Sequence, residues 1–80
     1  MDAFEFLARF NELAGEGAPI VLFSAHRIAE HFQITPYMSR RIVGDLRSAN
    51  LIRRAGNQYV FNRHGLEVVR AMTNARSEVY

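Results

Sequence analysis

The chain has 80 residues, 49% hydrophobic and 11% aromatic, with no cysteine and a formal net charge of +2. That length holds one small domain, and without cysteine a disulfide-stapled scaffold is excluded, so aromatic side chains must supply much of the core. The one strongly apolar run, Ala18 to Phe23, is too short to span a bilayer, and Met1-Asp2-Ala3-Phe4-Glu5 lacks a signal-peptide pattern; a cytoplasmic location is expected.

Asp2 followed by Glu5 is a capping-box-like start, and Gly15 with Gly17 supplies a stop, which predicts a helix over 3–14. Its apolar stripe is Ala3, Phe6, Leu7, Phe10, Leu13 and Ala14. Phe4 lies off that stripe, either covering a loop or the last helix or offering a self-association face. Pro19 to Phe23 is short and β-branched, as a strand would be. Ser24 then caps a second helix with the stripe Ala25, Ile28, Ala29 and Phe32, ending near Gln33.

Thr35 caps a third helix, predicted over 36–50, with Pro36 at its first position. Met38, Ile42, Leu46 and Ala49 are expected on its inner face, with Asp45 close by and paired to Arg41 or to an arginine of another element. Leu51 to Arg54 and Gln58 to Phe61 are strand-like runs around Ala55-Gly56-Asn57, where Gly-Asn can adopt the positive φ of a tight hairpin. A last helix over 63–77, capped by Asn62, carries Val68, Val69, Met72 and Ala75, with Val79 continuing the stripe. The expected fold is mainly α with a small β-hairpin (α+β), in the order helix, strand, helix, helix, hairpin, helix, forming a single domain over 1–80.

Charge is distributed unevenly along this order. Residues 1–35 set Arg9 and Arg27 against Asp2, Glu5, Glu12, Glu16 and Glu30, a net −3. Residues 36–63 set Arg40, Arg41, Arg47, Arg53, Arg54 and Arg63 against Asp45 alone, a net +5, and residues 64–80 balance. Basicity is therefore concentrated on the third helix and the hairpin. All ten basic residues are arginine, for which codon bias is a simpler account than selection for forked donors, since Arg9, Arg27, Arg70 and Arg76 lie outside the basic block.

Opposite the expected inner stripe of the third helix lie Tyr37, Arg40, Gly44 and Arg47, with Arg41, Val43 and Ser48 on the flanks. Such a face suits the major groove of duplex DNA, which admits a helix and offers guanine O6 and N7 to a bidentate arginine. Tyr37, Arg40 and Arg41 are the base-reading candidates, and Arg47 is placed for phosphate. Gly44 in mid-helix costs about 1 kcal/mol against alanine, which asks for a compensating close approach by DNA or by a neighbouring helix. Arg53 and Arg54 point to opposite faces of their strand, so at most one enters a groove directly, and Arg54 with the Gly56-Asn57 tip is favoured. Arg53, Arg54 and Asn57 are expected on the backbone or minor groove.

The run Ser24-Ala25-His26-Arg27-Ile28-Ala29-Glu30-His31-Phe32, continuing through Ile34-Thr35-Pro36-Tyr37-Met38-Ser39-Arg40-Arg41-Ile42 to Leu46 and Asn50-Leu51-Ile52, resembles the winged helix-turn-helix domains of prokaryotic transcriptional regulators, MarR-like and related. The resemblance implies a helix-turn-helix over 24–50, a wing over 51–61, and sequence-specific duplex DNA binding by a small regulator acting as a homodimer. Asn50 stands where that family usually has glycine, and Leu46 follows Ile42 by four positions instead of three. The expected DNA contacts are Ser24, Thr35, Tyr37, Ser39, Arg40, Arg41, Gly44, Arg47, Arg53, Arg54 and Asn57. A dimer through the terminal helices would use Phe4, Val69, Met72 and Val79.

Other chemistry is poorly supported. His26 and His31 are five apart, a poor spacing for a shared metal on one helix, and His64 stands apart, so no metal or cofactor is expected. Ser24, Ser39, Ser48 and Ser77 have no acid–base constellation beside them, so no enzyme is expected. Single-stranded nucleic acid would want an aromatic platform, and only Tyr37 and Tyr59 are exposed-looking rings. The alternative function is a winged-helix protein–protein module in a larger assembly, which the three arginines on the third helix disfavour; the acidic first segment could also dock a partner.

Overall fold

The computed structural model describes residues 1–14 and 22–77. Within them the chain forms α1 (Ala3–Ala14), α2 (Ala25–Phe32), α3 (Pro36–Ser48), the antiparallel strands β1 (Ile52–Ala55) and β2 (Gln58–Phe61), and α4 (Arg63–Ser77). This is a mostly helical α+β arrangement. No helix among the described residues is long and apolar enough to cross a membrane.

The sequence signals for helix starts act as caps. The Asp2 carboxylate accepts from the Glu5 amide at 2.8 Å, Ser24 Oγ from the Arg27 amide at 3.1 Å and Thr35 Oγ1 from the Met38 amide at 3.1 Å. Each cap satisfies a donor that the first turn would leave orphaned. The glycines expected to stop the first helix, and most of the strand expected over Pro19 to Phe23, lie outside the described residues. Phe23 itself pairs with Tyr59 as an isolated antiparallel bridge, through backbone hydrogen bonds of 2.9 and 2.6 Å.

Six phenylalanines in so short a chain suggested an aromatic core, and four of them form it. Phe6 and Phe10 of α1, Phe23 and Phe61 of β2 are all buried, with Phe10 set edge-on to Phe61 at 4.8 Å between ring centres. Edge-to-face pairs of this kind add about 0.5–1.5 kcal/mol each beyond the area they bury. At the edge of this cluster, Arg9 holds Glu12 at 2.7 Å and lays its guanidinium 5.1 Å from the centre of the Phe32 ring, which itself meets Phe6 edge-on.

The buried face of α3 differs from the expected one. Ser39, Ile42, Val43 and Leu46 point inward, while Met38 is only half-buried and Ala49 is exposed. The observed set keeps the i, i+3, i+4, i+7 spacing of a helical stripe. It wins because burying Val43 removes more apolar surface from water than burying Ala49 would. The small Ser39 completes the stripe, its hydroxyl donating to the Pro36 carbonyl at 2.9 Å. Val43 is therefore core and not a flank of the outer face.

α3 ends at Ser48, two residues short of the prediction. Asn50 adopts φ 58°, its amide donates to the Arg47 carbonyl at 2.9 Å, and the Leu51 amide donates to the Leu46 carbonyl at 3.0 Å. This paired pattern is a Schellman stop, in which the left-handed residue is most often glycine and sometimes asparagine. Asn50 thus does the conformational job that glycine most often does at such a stop.

In the hairpin, Ile52 faces Phe61, Arg53 faces Val60, Arg54 faces Tyr59 and Ala55 faces Gln58, around a Gly56-Asn57 turn with Gly56 at φ 65°. Asn62 ties the hairpin base to α4: its side-chain amide donates to the Asn50 carbonyl at 2.8 Å, its backbone amide donates to the Leu51 carbonyl at 3.0 Å, and its Oδ1 caps Gly65 at 2.7 Å. Gly65 is buried where a Cβ would strike the Leu51 carbonyl and the Phe61 ring, so α4 crosses the chain at a point only glycine allows.

Candidate nucleic-acid interface

Turning the core side of α3 toward Ser39 and Val43 also turns its outer side. Arg40 and Arg47 move to the edge nearest the hairpin, Arg41 and Asp45 to the opposite edge, and Tyr37, Gly44 and Ser48 lie between them. All of these are exposed.

The hairpin-side edge borders an open groove of about 320 Å³ lined by Ala25, Arg40, Val43, Gly44, Arg47 and Tyr59. Ala25 brings the first turn of α2, Tyr59 brings β2, and α3 supplies the floor. The Arg47 guanidinium carbon lies 5.9 Å from the centre of the Tyr59 ring. Strand alternation places Arg54, which is directly opposite Tyr59, on that same face of the hairpin. The groove lining thus carries two arginines and no carboxylate, with a third arginine beyond it.

The other edge is electrostatically different. A second concavity there is lined by Met1, Asp2, Met38, Arg41, Ile42 and Asp45, so Arg41 shares its surroundings with two carboxylates. The expected Asp45–Arg41 ion pair does not form, and among the described residues Asp45 lies within 4.0 Å of no other arginine. Arg41 nonetheless sits in a field of opposite sign to itself, which weakens its pull on a phosphate.

The remaining expected contacts divide by what already occupies them. Tyr37 is 65% exposed on the outer side of α3. Ser24 and Thr35 have their hydroxyl oxygens engaged as caps, with the hydroxyl protons left to donate outward. Ser39 is 1% exposed and its hydroxyl is spent on Pro36, so it is a core residue and not a DNA contact. Arg54 Nε donates to the Gly56 carbonyl at 3.0 Å, bracing the turn it was expected to extend, while Arg53 and Asn57 are exposed. Tyr59 is the groove residue that motif reasoning underused; its place opposite Arg54 in a two-residue hairpin was the available signal.

Gly44 stands apart from the chain's other described glycines. A Cβ built on it would meet nothing within 4 Å, and its φ is not positive. The neighbouring helix considered as a reason for this residue is therefore excluded among the described residues.

The terminal-helix dimer face is largely internal. Val69 is buried and Met72 packs against the core where α4 meets α1, so both serve the fold; Val79 lies outside the described residues. Phe4 is 70% exposed beside a groove lined also by Leu7, Leu46, Ala49 and Leu51. His26 lies on the surface of α2 with Nε2 3.2 Å from Glu30. No family model matches this chain, and no curated protein and no solved structure matches it either.

Proposed function

We propose that this chain is a winged helix-turn-helix domain that binds duplex DNA as a small transcriptional regulator, with α3 in the major groove and the hairpin as a wing along the backbone. The observation that carries the proposal is the groove shared by Arg40, Arg47 and Tyr59, whose lining is cationic and free of carboxylates. Three further features support it. The short turn between α2 and α3 sets two capped helices in sequence, the exposed side of α3 is polar and cationic, and the adjoining hairpin projects Arg53, Arg54 and Asn57 into solvent. Tyr37, at the start of α3, is the side chain best placed for a base edge.

The test is titration of the chain against a random duplex pool at two salt concentrations, followed by selection of the bound sequences. Binding that falls steeply with salt and enriches a common motif is expected, because each neutralised phosphate releases a counterion. Failure to bind any duplex at low salt overturns the proposal.

A further inference from the structure

The fold uses its three described mid-chain glycines for different reasons, and only two of those reasons are internal. Gly56 needs its positive φ for the turn, and Gly65 needs its missing side chain to pass Leu51 and Phe61. Gly44 has neither need. It sits in the interior of a 13-residue helix, where alanine is the better helix former, and the space where its Cβ would lie is open. That space belongs to the cationic groove, with Arg40 one turn before Gly44 and Arg47 nearly one turn after it.

We propose that Gly44 is the floor of a seat for one DNA phosphodiester, whose oxygens are gripped by Arg40 and Arg47 while the bare helix backbone lets the group come close. This deepens the duplex-binding reading and rests on it. Charge decides which edge of α3 meets the DNA strand: the groove over Gly44 holds two arginines and no acid, whereas Arg41 on the far edge is flanked by Asp2 and Asp45. Tyr59 holds the Arg47 side chain against the wing, so one wall of the seat is set before DNA arrives. Arg40 accordingly serves as a phosphate ligand and not as the base reader that its helical position alone suggested.

The seat separates folding from binding at a single position. Gly44→Ala is expected to raise the melting temperature, since the new methyl meets no atom, and to weaken duplex binding tenfold or more. Methylphosphonate scanning of a selected duplex locates the seat: removing the charge from one phosphate weakens the parent chain, and Gly44→Ala loses its sensitivity at that same phosphate. A Gly44→Ala chain that binds as tightly as the parent overturns the seat while leaving duplex binding intact. A lowered melting temperature overturns the premise that the site is open. Loss of binding in Arg40→Ala and Arg47→Ala, with Gly44→Ala unaffected, likewise places the phosphate elsewhere. A parent chain that binds no duplex ends both proposals together.

Discussion

Arg47 reaches across from α3 to lie over the Tyr59 ring of β2, so the helix and the hairpin are joined by a cation resting on an aromatic face. An exposed contact of this type contributes about 0.5–1 kcal/mol. A double-mutant cycle of Arg47→Ala and Tyr59→Leu, read by urea unfolding, is expected to give a coupling energy in that range. Leucine keeps apolar bulk against Phe23 while removing the ring face. A coupling indistinguishable from zero would show that the two side chains ignore each other in solution.

The arginines of the two α3 edges are expected to differ in their response to salt. Arg40→Ala and Arg47→Ala should each lower the slope of log affinity against log salt by about 0.9, the amount for one phosphate contact. Arg41→Ala should change it less, because Asp2 and Asp45 share its concavity. Arg40 and Arg41 are exposed, so their removal should change stability by less than about 0.5 kcal/mol, whereas Arg47→Ala also loses the Tyr59 ring contact and should cost about 0.5–1 kcal/mol. Equal slopes for the three variants would contradict the charge asymmetry of the helix.

Gly65→Ala should act oppositely to Gly44→Ala. The added methyl at position 65 collides with backbone of Leu51 and with the Phe61 ring, neither of which yields as a flexible chain end would. Overpacking of this sort costs about 1–3 kcal/mol, which lowers the melting temperature by roughly 4–8 °C per kcal/mol in a domain this small. Differential scanning calorimetry measures it, and an unchanged midpoint would mean that α4 can back away from Leu51 freely.

Asn50 offers a test of the helix stop. Its φ of 58° is tolerated by asparagine and preferred by glycine, so Asn50→Gly should hold or raise stability, while a β-branched Asn50→Val should cost about 1–2 kcal/mol. Chemical denaturation resolves the two. The hydrogen bond from Asn62 is made to the Asn50 backbone carbonyl and survives both substitutions.

How much of this was legible before folding depended on whether a signal was local. The boundaries of α1 and α4, the caps Ser24 and Thr35 and the Gly-Asn turn are each set by a few adjacent residues, and all could be read directly. The rotation of α3 could not, because two stripes compete on that helix. Met38-Ile42-Leu46-Ala49 and Ser39-Ile42-Val43-Leu46 share Ile42 and Leu46 and have nearly equal periodicity, and only the packing of neighbouring helices decides between them. That choice moved Arg40 toward Tyr59 and Arg41 toward the acids, and it moved Ser39 from the surface to the interior. Val69 and Met72 were misjudged for a related reason: a lone amphipathic helix does not reveal whether its partner is α1 of the same chain or another molecule.

The Asn62 junction has a consequence for how such a domain could be altered. Its three hydrogen bonds fasten both hairpin ends at the base, beside Asn50, Leu51 and Gly65, and leave the Gly56-Asn57 end free of them. Held by Asn62 at its base and by the Phe23–Tyr59 bridge at mid-strand, the hairpin leaves its Gly56-Asn57 tip as the part open to exchange. Two glycines inserted between Gly56 and Asn57 double the two-residue loop, an entropic change of about 0.6 kcal/mol, and the melting temperature should accordingly shift by only a few degrees. The length and charge of the hairpin tip are thus adjustable without disturbing the base that Asn62 fastens.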